Sequence, residues 1–272
     1  MNYDYPMLSY RNFLEVGTLF LISGTDNTAS PISNVYDLDT SNPALPTSSA
    51  TGELEFEIRL PSTDTNHTAD IVILGADRHF PTGHMTTGFN FTVSVWSATG
   101  WVVVGSITPV PSSSENRSYI KKLIPHVPVV TGGLYKYKVR YYGLSPNSTV
   151  SIPEGYIGPA LEMPPVDFGY DEYNDVSSGE QFESISGRVY RTTHYKRLEL
   201  KPHWSVVSVS MDNEINEFRE GAIEDRKSFW WAWKPDSQPN SCYLMFNKAG
   251  AAAYPIKSPV HRSFALDLIE AI

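Results

Sequence analysis

Residues Glu53-Leu54-Glu55-Phe56-Glu57-Ile58-Arg59-Leu60 alternate charged and apolar side chains without a break. A backbone of period two sends Leu54, Phe56, Ile58 and Leu60 to one face and the charges to the other. The segment is therefore a half-buried strand, and its dry face calls for a second layer to cover it.

The flanking chain repeats that grammar. Thr18 to Ile22 reads as a first strand, and Asp70 to Gly75 as a strand covered on both sides, because its apolar run is continuous. Phe89, Phe91, Val93 and Val95 alternate with Asn90, Thr92, Ser94 and Trp96, and Ala98-Thr99-Gly100 turns that strand into Trp101 to Val104. Tyr119 to Val130 carries Pro125 and Pro128, which predicts an irregular stretch or an edge strand. Leu134 to Tyr142 mixes aromatic and cationic residues around Val139, with Val150 to Ile157 expected as its hairpin partner. Gly158-Pro159 and Pro164-Pro165 then stop the sheet. Strands about every 10 residues with turn signals between them predict a sandwich or jelly roll.

After Pro165 the pattern changes. Residues 166–179 form an acidic linker, and strands follow around Arg188–Thr192, Lys196–Leu200 and Trp204–Val209. Asp212 to Ser228 is the one strong helix candidate, with Asp212 as its cap and Ile215, Phe218 and Ala222 at helical spacing. Phe229–Trp233, Cys242–Phe246 and Arg262–Ile269 read as closing strands. The expected fold is mainly β: a jelly-roll β-sandwich over residues 1–165, then a smaller mostly-β (α+β) domain with one helix over 166–272.

Composition narrows the function classes. The chain has 41% hydrophobic and 19% charged residues, which is globular, and each half can bury a core. Net charge is −9, with 9 basic and 14 acidic groups in residues 1–165, so neither half offers the basic field of a nucleic-acid partner. Cys242 stands alone, which excludes an intrachain disulfide and CxxC metal chemistry. The beginning lacks a basic region followed by an apolar run, and no stretch of about 18 apolar residues occurs. Cytoplasmic synthesis without a membrane span is the expectation.

No catalytic signature stands out, and neither a cofactor nor a resident metal is expected. His79 and His84 with Asp77 sit in a Pro-Gly loop that does not fix metal-ligand geometry, and Asp26, Asp37 and Asp39 lack the alternate-position ligands of a calcium loop. Asp167, Asp171, Glu172 and Asp175 lie in a linker, not on the rigid scaffold that paired catalytic carboxylates need. The aromatic clusters say more. If Phe229–Trp233 is a strand, Trp230 and Trp231 face opposite ways. Either one indole reaches the surface as an interface, with Trp233 beside it, or both are buried between sheet and helix. Trp96 and Trp101, which bracket a hairpin tip, admit the same two readings, and with Tyr36 they are candidate glycan contacts.

Taken in order, several stretches resemble the distal-tail or tail-tip proteins of tailed bacteriophages that begin with a galactose-binding-like, discoidin-type jelly roll. The stretches are Ser33–Asp39, Leu54–Leu60, Ile71–Gly75, Phe91–Trp101, Tyr135–Arg140 and Tyr156–Pro164. Where that family's early loop usually closes with a Trp, this chain has Asn42-Pro43-Ala44-Leu45-Pro46. The resemblance implies a non-enzymatic virion subunit at the tail tip or baseplate that forms a homo-oligomeric ring, with a hexamer as the family's count. Copies of itself, the tail tube, hub and tape measure would be partners, and Trp230, Trp231 and Trp233 candidate ring-interface residues. The alternative is a carbohydrate-binding module contacting host surface glycans.

Overall fold

The computed structural model describes residues 4–36, 44–63, 67–74, 90–107, 119–152, 154–167, 169–171, 174–183, 189–224, 226–238, 242–248 and 255–271. Asp37, Asp39, Asp77, His79 and His84 lie outside them. The chain divides into two compact units, Met1–Glu162 with Ala232–Tyr243, and Met163–Trp231 with Leu244–Ile272.

Unit 1 contains β1 (Met7–Ser9), α1 (Phe13–Val16), β2 (Thr18–Ser23), β3 (Glu53–Pro61), β4 (Ile71–Leu74), β5 (Asn90–Ser97), β6 (Gly100–Ile107), β7 (Tyr119–Lys122), β8 (Leu134–Tyr142), β9 (Gly155–Gly158) and β10 (Ala160–Glu162). Five strands form one antiparallel sheet in the order β2-β3-β8-β5-β6, three form another in the order β7-β4-β9, and β1 pairs with β10. The alternating segment behaves as its pattern dictates. Glu53 pairs with Tyr142 and Pro61 with Leu134, with no slip between. Leu54, Phe56, Ile58 and Leu60 are all fully buried, against Tyr137, Val139 and Tyr141. Each such side chain contributes roughly 2 kcal/mol of burial.

One expected pairing is wrong. Residues 150–157 do not return as the hairpin partner of β8. Both neighbours of β8 are β3 and β5, and β9 instead pairs with β4 in the second sheet. A sandwich core needs apolar faces from both layers, and the crossing after Tyr142 delivers Val150, Ile152 and Ile157 to that core.

Two polar side chains tie unit 1 together where the sheets leave backbone groups over. Asn12 caps α1 by accepting from Leu14 N (3.1 Å), and the same Oδ1 accepts from Ile157 N (3.2 Å). Its Nδ2 donates to Gly155 O at 2.8 Å. The Tyr156 hydroxyl donates to Pro159 O and accepts from Tyr10 N and Arg11 N, and burial pushes its pKa up. Gly158 permits this approach, since a Cβ there would stand 2.1 Å from Arg11 O.

Unit 2 contains β11 (Asp175–Glu183), β12 (Val189–Leu200), β13 (His203–Ser208), α2 (Asp212–Phe218), β14 (Phe229–Ala232), β15 (Cys242–Asn247), β16 (Ile256–Ser258), β17 (His261–Ala265) and β18 (Leu268–Glu270), the ends of β14 and β15 falling in unit 1. The hydrogen-bonded order is β14-β15-β18-β12-β11, with a separate sheet β13-β17-β16. Its core is aromatic. Trp204 stacks on Phe264 (5.5 Å between centroids), and its edge meets Trp231 (6.2 Å). Phe218 meets Phe229 and Phe264 edge-on. Trp204 Nε1 donates to Pro164 O at 2.7 Å, which satisfies the one polar atom of a buried indole.

The helix differs from expectation in two ways. It is α-helical only to Phe218, and Arg219–Glu224 continue as a π-turn. The wider turn still buries Ala222 and Ile223, as the spacing demanded. Asp212 is not the cap. Met211 occupies that position, and the Asp212 carboxylate takes a bidentate contact from Arg262 (3.0 and 2.7 Å). The acidic linker is also ordered in part, since β11 begins at Asp175.

Within that linker the Asp167 carboxylate lies 2.6 Å from His203 Nδ1 and accepts from Ser205 N (2.9 Å) and Ser205 Oγ (3.1 Å). Burial works to raise its pKa, but the Ser205 N–H, the His203 ring and the Ser205 hydroxyl outweigh it and hold the carboxyl below its ordinary 3.8. Asp4 is lowered in the same manner, burial being outweighed by the Ser237 hydroxyl, the amides of Asp236 and Ser237, and Lys122. A depressed carboxyl stabilises the fold above its unfolded value, and that contribution is lost as pH falls through the folded value. Stability is thus expected to hold above about pH 4 and to decline below it. Asp167→Asn should flatten part of that decline in urea titrations run from neutral to acid pH; an unchanged acid limb would refute the assignment.

Candidate binding surface

The β5–β6 hairpin builds the surface of interest. Phe91, Val93 and Val95 of β5 face the core, so alternation turns Thr92, Ser94 and Trp96 outward. Trp96 pairs directly across the ladder with Trp101 of β6, and the two indoles meet edge to face at 5.3 Å and 79°. Both are half-buried. The tip is fixed by Ser97 Oγ, which donates to Gly100 O at 2.8 Å, and by Gly100 with φ of 115°, a backbone position that disfavours side chains.

Cations on the neighbouring strand frame the pair. Lys138 Nζ lies 4.8 Å from the Trp101 ring centroid, over its face. Val95 pairs with Tyr137, which puts Trp96 on the row of Lys136. Glu53, Glu55, Glu57 and Arg59 of β3 share this outer face with Lys136, Lys138 and Arg140 of β8.

An apolar segment borders the hairpin. Ile124 N donates to Val104 O at 2.7 Å and Val129 N to Trp96 O at 3.0 Å, so both ends of 124–129 are tied to the two Trp strands. Ile124 and Val127 are each 67% exposed, and Val103 56%. Leu123 anchors the segment by filling the space over Gly105, where a Cβ would come within 2.4 Å of its Cδ2. Gly105→Ala is expected to cost about 1–3 kcal/mol by overpacking and to loosen 124–129. Hydrogen exchange at Ile124 reads this directly, and unaltered protection would refute it.

The aromatic candidates separate. Trp96 and Trp101 come together, whereas the turn carrying Tyr36 packs against α1, β2 and β9, and Tyr36 leans on the core. Trp230 and Trp231 are both buried, at 4% and 0% exposure, so of the two readings of that strand the buried one describes the fold. Neither presents an indole to a partner. Trp233 is half-buried with Lys234 Nζ 5.4 Å from its ring centroid. The exposed aliphatic segment was not singled out in the sequence; its signal was the run Ile-Pro-His-Val-Pro-Val-Val, in which the prolines forbid a central strand that could bury the valines. Among the described residues no group of three His, Cys, Asp or Glu could hold a metal ion, and no helix is long and apolar enough to cross a membrane.

Fold and surface together define an antiparallel two-sheet β-sandwich that carries an aromatic pair on its outer face. No family model matches the chain, and no curated protein matches it. Solved structures similar to it include the His 62 mutant of the lectin binding domain of Lectinolysin complexed with Lewis b, at 9% identity over 57% of this chain and 99% of that one, with a TM-score of 0.38. Others are the CBM32-1 and CBM32-2 domains of Clostridium perfringens ZmpB in complex with GalNAc (14% identity, 55% and 35% covered, TM-score 0.39) and an F5/8 type C domain from Bacteroides fragilis (12%, 57% and 97%, 0.39). No residue role is carried over from them.

Proposed function

We propose that unit 1 is a non-enzymatic carbohydrate-binding module. The observation that carries this reading is the Trp96–Trp101 pair, two indoles held on an outward sheet face by ladder pairing and a fixed hairpin tip. The apolar C–H face of a pyranose stacks on an indole, while adjacent polar groups orient its hydroxyls. Thr92 and the cationic row of β8 supply such groups. Because the indoles are fixed before the ligand arrives, little side-chain entropy is lost on binding.

A glycan array followed by calorimetry tests this. Trp101→Ala is expected to weaken binding at least about tenfold, with the unfolding midpoint little changed. Absence of any saccharide binding tighter than millimolar overturns the reading.

A second reading is favoured by a different observation. Val103, Ile124, Val127, Val129 and Val130 are exposed by 40% to 67%, a cluster of aliphatics that isolated monomers seldom leave wet. With the ordered sequence resemblance, this suits a subunit of a hexameric phage tail-tip ring, made in the host cytoplasm and assembled with tube, hub and tape-measure proteins in the virion. Such a ring needs a head-to-tail interface, and of the three clustered tryptophans only Trp233 retains surface for it. Electron microscopy of the purified chain decides: closed rings support this reading, and a monodisperse monomer removes it. The two readings are compatible, since a ring subunit can carry a lectin-like unit.

A further inference from the structure

We propose that the saccharide recognised at the Trp96–Trp101 face is anionic, a carboxylate- or sulfate-bearing sugar whose charge is met by Lys136 and Lys138; this rests on the carbohydrate reading above. The outer face of the five-stranded sheet carries four cations (Arg59, Lys136, Lys138, Arg140) against three carboxylates (Glu53, Glu55, Glu57), on a chain whose net charge is −9. A local cationic excess on an acidic protein is the reverse of the average surface, and its Arg59–Lys136 row is the one that runs on to the two indoles.

The ion pairs are unequal in a way that leaves the lysines available. Glu57 Oε1 is held at 2.5 Å by Arg59 Nε, while Lys136 Nζ is only 3.9 Å away from the same oxygen. Arg140 Nη2 takes Glu53 at 2.5 Å and Arg140 Nε stands 3.9 Å from Glu55, whose other oxygen is 3.6 Å from Lys138 Nζ. Each lysine therefore shares its carboxylate with an arginine. An ammonium has three donors, and contacts of 3.6 and 3.9 Å are longer than hydrogen bonds. Lys138 spends its charge on the face of Trp101. An acidic group that draws Nζ onto itself uncovers that ring face for the sugar carrying the charge. One side chain thus shields the bare indole and acts as counter-charge for the ligand that replaces it. A neutral sugar gains stacking and hydroxyl contacts but offers the ammonium no counter-charge.

The test uses the full chain in calorimetry with three probes of matched length: an oligogalacturonate, a heparin-derived sulfated oligosaccharide and a neutral galactan oligosaccharide. At least one anionic probe is expected to bind about tenfold or more tighter than the neutral one, with the advantage shrinking as NaCl rises from about 0.05 to about 0.5 M. The two anionic arms tell carboxylate from sulfate. Lys136→Gln with Lys138→Gln should bring the anionic probes to the affinity of the neutral one and remove the salt dependence, while Lys138→Arg should keep the preference. The double change is expected to leave the fold intact, because the short Arg59–Glu57 and Arg140–Glu53 pairs remain, and the urea midpoint of the variant checks this. Equal binding of neutral and anionic probes, or a preference that persists in the double variant, overturns the charge assignment and leaves the carbohydrate reading standing. Binding of none of the three, with no other saccharide retained on the array, overturns both.

Discussion

Trp204→Ala is expected to destabilise unit 2 by about 3–5 kcal/mol. Trp204 is 1% exposed and shares ring contacts with Phe264 and Trp231, so its removal opens a cavity among rings that are themselves fixed by neighbours. The change also strips Pro164 O of its donor. Trp204→Phe separates the two effects, because it restores most of the ring area without the N–H. A loss of about 1–2 kcal/mol is expected for it. Chemical denaturation followed through the near-ultraviolet signal of the aromatic cluster measures both. A loss below about 1 kcal/mol for the alanine variant would mean that the cluster relaxes into the space and is not the rigid core described here.

Asn12→Ala is expected to cost unit 1 about 3 kcal/mol, although it deletes only one small polar group. Three backbone groups, Leu14 N, Ile157 N and Gly155 O, lose their partner together in a site that is 9% exposed. Asn12→Asp makes the sharper test. The oxygen that replaces Nδ2 would face Gly155 O, so the carboxyl must keep its proton to donate, and its folded pKa rises. A raised carboxyl pKa makes the folded state bind more protons than the unfolded one, so stability increases as pH falls from neutral toward about 4. That slope opposes the acid loss expected from Asp167 and Asp4 in the parent chain. Parallel pH profiles for Asn12→Asp and the parent would show that Asn12 does not donate to Gly155.

Much of unit 1 was legible before any coordinates. Strict alternation at Glu53–Leu60 and Phe91–Trp96 specified which side chains are buried, since period two leaves no freedom of face. The turn at Ala98–Gly100 placed Trp96 opposite Trp101. Partner choice was not legible. The strand at 155–158 follows β8 closely enough in sequence to suggest a hairpin, yet it completes the other sheet, because only that layer can cover the dry face of the first. Asp212 shows the same gap at the level of one residue. Capping is a local rule, whereas the Arg262 guanidinium that takes the carboxylate comes from 50 residues away. The tryptophans of 230–233 were equally open, for alternation assigns faces without saying whether one or both are covered.

The sequence by itself determined that the chain makes antiparallel sheets, that Trp96 turns away from the core, and that no familiar catalytic constellation is spelled out along it. Those properties follow from backbone period and residue chemistry, which are local. Only the tertiary structure decided which sheet each strand joins, that Trp230 and Trp231 are buried, and that Lys136 and Lys138 stand beside an indole pair. Each of these depends on what a distant segment brings to the same place, and sheet order carries that information where sequence spacing does not.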